Sequence, residues 1–207
     1  MIIPSNEELT TPKLGSLLMP LVSDVDSSST ETEQKLNTLY NDNSCDIIIK
    51  KGDEEKFSRF TNNPDDEQKA LMVINENNRQ IVLLSIDNKL IKEHVGGICD
   101  CALFDDKQFR FVEFKTNAYG NSSEQVRETF DKATSQLKET IHVFKDRLQK
   151  VDIQFEDAVT LSCHVVMSQR FPKSRAIKQE YQISFADENN NIGLFFSEKT
   201  HWEKPEK

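Results

Sequence analysis

The alternation of apolar and polar side chains predicts a β-hairpin over residues 98–115. Both arms are rich in residues that favour strands. A polar segment at 105–108 supplies the turn, although it lacks the glycine that the tightest turns usually contain. A turn at this place sets Phe104 opposite Phe109, and a two-residue loop at its centre would keep the same register.

Further apolar runs lie before this hairpin. Residues 70–74 and 80–86 flank a polar segment and predict another hairpin, so the chain is expected to enter the core as an antiparallel meander. Residues 46–50 are a candidate strand, and the polar stretch 51–68 predicts loop and short helix. Earlier still, apolar positions four apart predict a short helix over about residues 30–40.

The longest periodic segment follows the hairpin. Ser122 and Gln125 form a capping box, in which each can satisfy the other's main-chain donor at the start of a helix. Apolar side chains then recur every three or four residues over about seven turns, which predicts a long helix with one buried stripe. The stripe consists of Val126, Phe130, Ala133, Leu137, Ile141, Phe144 and Leu148.

The continuous apolar run at 158–167 predicts a strand that is buried on both faces and runs parallel to its neighbour after the helix. Residues 181–185 and 192–197 flank a polar turn and predict a last hairpin. The order of elements indicates an α/β fold that has a mixed β-sheet with flanking helices.

Composition supports a folded chain. Of the 207 residues, 36% are hydrophobic and 29% are charged, with only six Gly and six Pro, which argues against disorder. Three prolines and a Ser-rich run fall within the first 30 residues. We therefore expect an N-terminal arm and short helix over 1–45, and one α/β domain over 46–207.

The cysteines follow no disulfide framework, so we expect reduced core residues in a cytoplasmic protein. They are Cys45, Cys99, Cys101 and Cys163. A zinc site made of the last three and His164 is disfavoured, because neighbouring residues 163 and 164 face opposite ways on a strand and no C-x-x-C spacing occurs.

The lengths of the apolar runs and the charge of the chain indicate which partners to expect. No apolar run reaches the length of a membrane span, and no basic region precedes the early run at 17–22, so neither a membrane segment nor a signal peptide is expected. A net charge of −9 counts against a protein that coats nucleic acid. Residues 107–178, however, carry 13 Lys or Arg against nine Asp or Glu, which permits nucleic-acid binding but is also common on solvated helix faces.

The predicted hairpin register sets Asp100 directly opposite Glu113. Directly opposed strand residues have Cβ atoms roughly 4.5–5.5 Å apart, and like charges placed so destabilise a sheet. Lys115 on the same face compensates in part, but two carboxylates also suit a divalent cation such as Mg²⁺. The alternative is an ordinary exposed strand face. The strongly apolar sequence around both acids favours the metal site.

Asp100, followed on the next strand by Glu113-Phe114-Lys115, resembles the PD-(D/E)XK nuclease superfamily of restriction-endonuclease-like phosphodiesterases. The likeness is one of motif and element order, and it covers about residues 80–170. The chain departs from the name-giving motif in having Cys99 where Pro stands.

The resemblance implies a restriction-endonuclease-like core and a role for each motif residue. Asp100, Glu113 and the main-chain carbonyl of Phe114 would bind Mg²⁺ or Mn²⁺, and Lys115 would position and activate the attacking water. Gln136 on the long helix is similar to the accessory polar residue that reaches the scissile phosphate or a metal-bound water. An ordinary exposed Gln is the alternative.

Several other side chains are weaker candidates. Glu33 on the early helix is a candidate for a further acid, and Asp87, Lys89, Glu93 and His94 precede the motif strand and are candidates to border the site. For all of these, solvated surface polarity is the alternative. We expect His164 to be a buried, hydrogen-bonded residue. The basic loop 168–175 would touch the phosphate backbone in a nuclease.

The resemblance therefore implies a hydrolase: a magnesium-dependent nuclease that cleaves phosphodiester bonds in DNA, or less readily RNA. Members often act as dimers or beside another subunit, so a homodimer or a partner subunit is also implied. The alternative is a catalytically silent nuclease-like domain that serves as a binding or assembly module. A register error of one residue would put Asp100 and Glu113 on opposite faces and remove the site.

Overall fold

The protein is described by a computed structural model that covers residues 39–42, 46–51, 58–61, 70–77, 79–91, 94–120, 122–168, 171–172 and 174–202. Within these ranges the chain forms ten strands and three helices. The strands are β1 (Leu39–Asp42), β2 (Asp46–Lys51), β3 (Ser58–Thr61), β4 (Leu71–Ile74), β5 (Ile81–Ser85), β6 (Cys101–Phe104), β7 (Gln108–Lys115), β8 (Thr160–Met167), β9 (Gly193–Phe196) and β10 (Lys199–His201). The helices are α1 (Ser123–Gln149), α2 (Phe155–Ala158) and α3 (Arg175–Glu188).

A mixed six-stranded sheet has the order β1-β5-β6-β7-β8-β9. Its pairs are antiparallel from β1 to β7, whereas β7–β8 and β8–β9 are parallel. Parallel neighbours need a crossover connection, and α1 and α3 lie on the two segments that provide it. The expected α/β architecture with a mixed sheet is confirmed.

The register of the β6–β7 hairpin is the predicted one. Phe104 pairs with Phe109, and Cys101 pairs with Val112. The strand β6 begins one residue after Asp100, so Asp100 adjoins Glu113 at the end of the ladder instead of within it. The two carboxylates therefore meet where the regular pairing stops.

The predicted long helix is confirmed as α1. Ser122 caps it, because its Oγ accepts a hydrogen bond from the Gln125 main-chain N–H at 3.2 Å. All seven residues of the predicted stripe are buried. Phe144 packs edge-on against Phe109 and Phe111 of β7, with ring centroids 5.8 and 5.1 Å apart, which fixes the helix on one face of the sheet.

A four-stranded sheet with the order β10-β4-β2-β3 covers the other face. Its residues Ile49 and Val73 share a second apolar core with Leu103 and Val112 of the six-stranded sheet. Strands β6 and β7 are thus covered on both faces. This explains why all of β6 and all of β7 except Lys115 are buried.

The predicted hairpin of residues 70–74 and 80–86 is wrong. The strand β4 pairs with β2 and β10, whereas β5 pairs with β1 and β6 in the other sheet. The chain turns between the two strands at Asn75, whose side chain bonds both the main-chain N–H and the carbonyl of Arg79. Both edges of each strand are already paired, so the two cannot pair with each other.

The predicted last hairpin is also wrong. Residues 181–185 belong to helix α3, and β9 adds to the sheet parallel to β8. Ile177 and Phe185 of α3 are buried against the same core as α1. With the half-buried Tyr181, they recur at intervals of four, which is a helical spacing that the aromatic and β-branched composition concealed.

Two smaller predictions also need correction. The stretch 51–68, expected to be loop and short helix, contains strand β3, which pairs with β2. The predicted helix over about 30–40 is wrong at its end, because Leu39 and Tyr40 belong to β1, and its earlier part lies outside the described residues. The predicted strand at 46–50 is confirmed as β2, and the one at 158–167 is confirmed over Thr160–Met167 as β8, because Ala158 ends helix α2. The division at residue 45 stays a prediction.

Candidate active site

The four residues predicted from the motif lie at one edge of the six-stranded sheet. Asp100 comes just before β6, Glu113 and Lys115 lie at the end of β7, and Gln136 faces them from α1. This edge is formed by the carboxyl ends of the parallel strands β7 and β8. Open α/β sheets commonly bind ligands outside such ends.

Asp100 is buried and held at both carboxylate oxygens. Its side chain is 1% exposed; Oδ2 accepts a hydrogen bond from the main-chain N–H of Phe114 at 2.7 Å, and Oδ1 is paired with Lys51 Nζ. Burial raises the pKa of Asp100, and the Lys51 ammonium group opposes that rise without cancelling it. The carboxylate is therefore fixed in position in an environment that disfavours its charge.

Glu113 is equally buried, but only one of its oxygens has a partner among the residues that the structure describes. Oε1 accepts a hydrogen bond from Lys115 Nζ at 2.6 Å, whereas Oε2 has no partner among the described residues. Burial, and next the neighbouring Asp100 carboxylate, raise the pKa of Glu113 to about 8 against the effect of Lys115. A buried carboxylate oxygen without a partner is costly, so this atom is available to a cation or a donor.

Lys115 joins the acid pair to the long helix. Its Nζ donates to Glu113 Oε1 and, at 2.5 Å, to Gln136 Oε1. The Gln136 amide nitrogen in turn donates to the carbonyl of Ile98 at 3.1 Å, which fixes the orientation of the amide. Gln136 is half-buried and contacts Lys115, unlike a glutamine on an open helix surface.

The segment before Asp100 packs tightly on α1. Thr140 Oγ1 accepts a hydrogen bond from the Cys99 main-chain N–H at 2.8 Å and donates to the Gln136 carbonyl. Gly97 has a φ of +81°, and a Cβ placed there would lie 3.2 Å from both Cγ and Nε2 of Gln136. The glycine thus permits both the turn and the close approach of the Gln136 side chain.

Replacing Gly97 by Ala should destabilise the protein and displace Gln136. Gly96 provides a matched control, because it also has a positive φ of +98° but a Cβ there would meet nothing within 4 Å. We expect Gly96→Ala to lower the free energy of unfolding by about 1 kcal/mol through backbone strain, and Gly97→Ala to lower it by more. Urea unfolding of both variants measures the difference in the free energy of unfolding. Equal losses would mean that the contact with Gln136 contributes nothing to the destabilisation of Gly97→Ala.

Lys51 is the site residue that sequence reasoning missed. It ends strand β2 in the other sheet, yet its Nζ contacts Asp100 Oδ1 and lies 3.2 Å from Asp87 Oδ2. Burial acts against its charge, but Asp100 and Asp87 together raise its pKa. It is 49 residues from Asp100 along the chain, so no local spacing indicates the contact.

The weaker candidates fall in different places. Asp87 joins the network through Lys51, and His94 Nε2 lies 2.8 Å from Glu139 Oε1 on α1. Lys89 is exposed. Outside the described residues lie Glu33, Glu93 and, within the basic loop 168–175, Gln169, Arg170 and Lys173.

Cys99 and Cys101 flank Asp100, Cys163 and His164 lie on β8, and Cys45 lies outside the described residues. Cys99, Cys101 and Cys163 are free thiols whose pKa burial raises, so they are poor nucleophiles. Strict strand alternation predicts that Cys99 and Cys101 share a face, but they lie in different cores, because the regular strand begins only at Cys101. His164 is buried, as predicted, with Nε2 3.3 Å from Ser162 Oγ and a pKa that burial lowers to about 3.

The donor set of the site is compatible with a hard divalent cation. In the part of the chain that the structure describes, no group of three or more His, Cys, Asp and Glu side chains is arranged to hold a metal ion. Mg²⁺ commonly binds through one or two carboxylates and completes its shell with water or substrate phosphate oxygens. The two carboxylates fit that mode, with Glu113 Oε2 unpartnered among the described residues and Asp100 Oδ1 paired with Lys51, and the role of the Phe114 carbonyl stays a prediction.

Comparisons with known proteins identify no relative. No family model, no curated protein and no solved structure matches the chain. Among the described helices, none is long and apolar enough to cross a membrane.

Proposed function

We propose that the protein is a metal-dependent nuclease with a restriction-endonuclease-like core over about residues 80–170. The observation that carries the proposal is the pair of buried acids beside the carboxyl end of β7, one of which has a carboxylate oxygen without a partner among the described residues. The element order of three strands, helix and parallel strand also agrees with the resemblance. Mg²⁺ or Mn²⁺ is the proposed cofactor, bound by Asp100, Glu113 and the Phe114 carbonyl.

Each side chain has a distinct task in this proposal. A bound divalent cation would polarise the scissile phosphate and lower the pKa of a bound water. The Lys115 ammonium group would orient the attacking water and offset the negative charge that develops at the phosphate. Gln136 fixes Lys115 through their hydrogen bond, and the Phe114 N–H fixes Asp100, so the charged groups are held in place before substrate arrives.

Cleavage of labelled single-stranded, duplex and branched DNA with Mg²⁺ or Mn²⁺ tests the proposal. Lys115→Ala should lower the cleavage rate by roughly 10²–10³-fold, because it removes a fixed positive charge from the reacting centre. Lys107→Ala is the matched control, since Lys107 is an exposed lysine in the turn at the opposite end of the β6–β7 hairpin. Equal rates for the two variants would contradict the role of Lys115.

The second candidate function is a catalytically silent domain that acts as a binding or assembly module. One observation favours it: each buried acid already has a lysine partner, Lys51 for Asp100 and Lys115 for Glu113. A module of this kind has no need to bind metal. Titration with Mn²⁺ therefore distinguishes it from the nuclease.

The proposed partner is nucleic acid, with DNA first and RNA second. The basic balance of residues 107–178 supports it within an otherwise acidic chain. A homodimer or an additional subunit is implied by the resemblance alone.

A further inference from the structure

The Lys51 side chain crosses from one sheet to the other. Lys51 ends β2 in the four-stranded sheet, whereas Asp100 borders the six-stranded sheet, and the ammonium group contacts carboxylate oxygens of both Asp100 and Asp87. An ammonium group shared by two carboxylates lies where a small cation would be electrostatically favoured. One of those oxygens, Asp100 Oδ1, belongs to a proposed metal ligand.

The charges around the acid pair are nearly balanced by lysines. Asp87, Asp100 and Glu113 supply three carboxylates, and Lys51 and Lys115 supply two ammonium groups. A divalent cation at Asp100 would lie within a few ångströms of the Lys51 ammonium group, where repulsion between like charges is strong in a partly buried site. Both cations would also compete for the same carboxylate.

Lys51 has a route out of this position. Its side chain is 34% exposed, and its second partner, Asp87, is 31% exposed. The lysine stem is flexible, so the ammonium group can move outwards while remaining paired with Asp87. Asp100, at 1% exposure, has no comparable freedom.

We infer that Lys51 is a tethered cation that neutralises Asp100 in the metal-free protein and must leave Asp100 before a divalent cation binds there. The inference rests on the proposed function, because it concerns the same site. It gives Lys51 a positioning and regulatory role: it keeps the buried acid paired in the absence of metal and weakens metal binding. A lysine whose only role is an ion pair between the two sheets would leave the affinity for metal unchanged.

Calorimetric titration of the full chain with Mn²⁺ tests the inference. Lys51→Met keeps most of the side-chain volume and removes the charge, so it should tighten Mn²⁺ binding at least about tenfold relative to wild type. Lys107→Met removes the same charge at the far end of the hairpin and should leave affinity unchanged. Asp100→Asn added to Lys51→Met should abolish the tight binding, which assigns it to this carboxylate.

The outcomes separate the inference from the proposed function. The inference is supported if Lys51→Met binds Mn²⁺ and wild type does not, or if Lys51→Met binds Mn²⁺ more tightly than wild type does. Equal affinity for wild type and Lys51→Met, lost in both on Asp100→Asn, overturns the inference and leaves the proposed function standing. If none of these proteins binds Mn²⁺, the proposed function fails and the inference fails with it.

A second measurement does not depend on how Lys51→Met folds. Lys51→Arg keeps a cation in place and should bind Mn²⁺ about as weakly as wild type. In the wild-type protein, the Lys51 amine ¹⁵N resonance, assigned by comparison with this variant, should shift when Mg²⁺ is added. A resonance that stays unchanged at saturating Mg²⁺ would show that Lys51 does not leave Asp100, and would overturn the inference.

Discussion

Replacing Glu113 by Gln should abolish metal-dependent cleavage while stabilising the metal-free protein. The amide keeps the shape of the side chain but is a neutral and much weaker ligand, so we expect a rate loss of at least about a thousandfold. Stability should change in the opposite direction, because burial and Asp100 disfavour the charged form of Glu113 and the amide carries no charge. Cleavage assays and thermal unfolding of the same preparation measure both effects.

Glu128 provides the matched control for this substitution. It is an exposed residue of α1, so Glu128→Gln makes the same chemical change away from the acid pair. We expect cleavage and the unfolding temperature of that variant to stay close to wild type. Retained cleavage in Glu113→Gln would contradict the assignment of Glu113 as a metal ligand.

The stability of the metal-free protein should fall as pH rises from about 6.5 to about 8. The pKa of Glu113 is raised from 4.5 in the unfolded chain to about 8 in the folded protein. In this window the folded state binds more protons than the unfolded state, so the free energy of unfolding decreases with increasing pH. The stabilisation is fully present below pH 4.5 and is lost as pH passes through the folded value.

This window lies above the pH range in which His164 acts and below that of the buried thiols. His164, with a pKa of about 3 in the folded state against 6.5 unfolded, makes stability rise with pH up to about 6.5. The thiol pKa values, raised by burial, affect stability near and above 9. Urea unfolding between pH 6.5 and 8 should show the decrease in wild type but not in Glu113→Gln, and parallel curves for the two proteins would contradict this account.

Metal should reverse the same pH effect. A divalent cation at the acid pair favours the ionised form of Glu113, so Mg²⁺ should stabilise the protein more at pH 8 than at pH 6.5. The buried acids thus weaken the isolated fold and are suited to a bound cation. A loss of stability of this kind is common at functional sites, where the environment shifts the pKa of ionisable groups.

Local sequence patterns predicted the elements whose structure depends on residues close together in the chain. The alternation around residues 98–115 determines the hairpin register, since a shift of one residue would turn Phe109 and Phe111 away from the core that they share with α1. The apolar stripe of α1 and the continuous apolar run of β8 are equally local. Because Asp100, Glu113, Lys115 and Gln136 lie on these elements, most of the candidate site followed from the sequence.

The remaining errors concern contacts between distant segments. Whether β4 pairs with β5 or with β2 depends on which edges are already occupied, and a run of apolar residues carries no such information. Ile177 and Phe185 are typical strand residues by composition but occupy one face of helix α3. Lys51 is an unremarkable charged residue at the end of a strand until the two sheets pack and bring it to Asp100.

A calorimetric titration of wild type and Glu113→Gln with Mn²⁺ at pH 8, close to the pKa of Glu113, tests the metal site most directly. We expect wild type to bind Mn²⁺ and Glu113→Gln not to bind it. Binding of equal strength by both proteins, or no binding by either wild type or Lys51→Met, would contradict a metal site at Asp100 and Glu113.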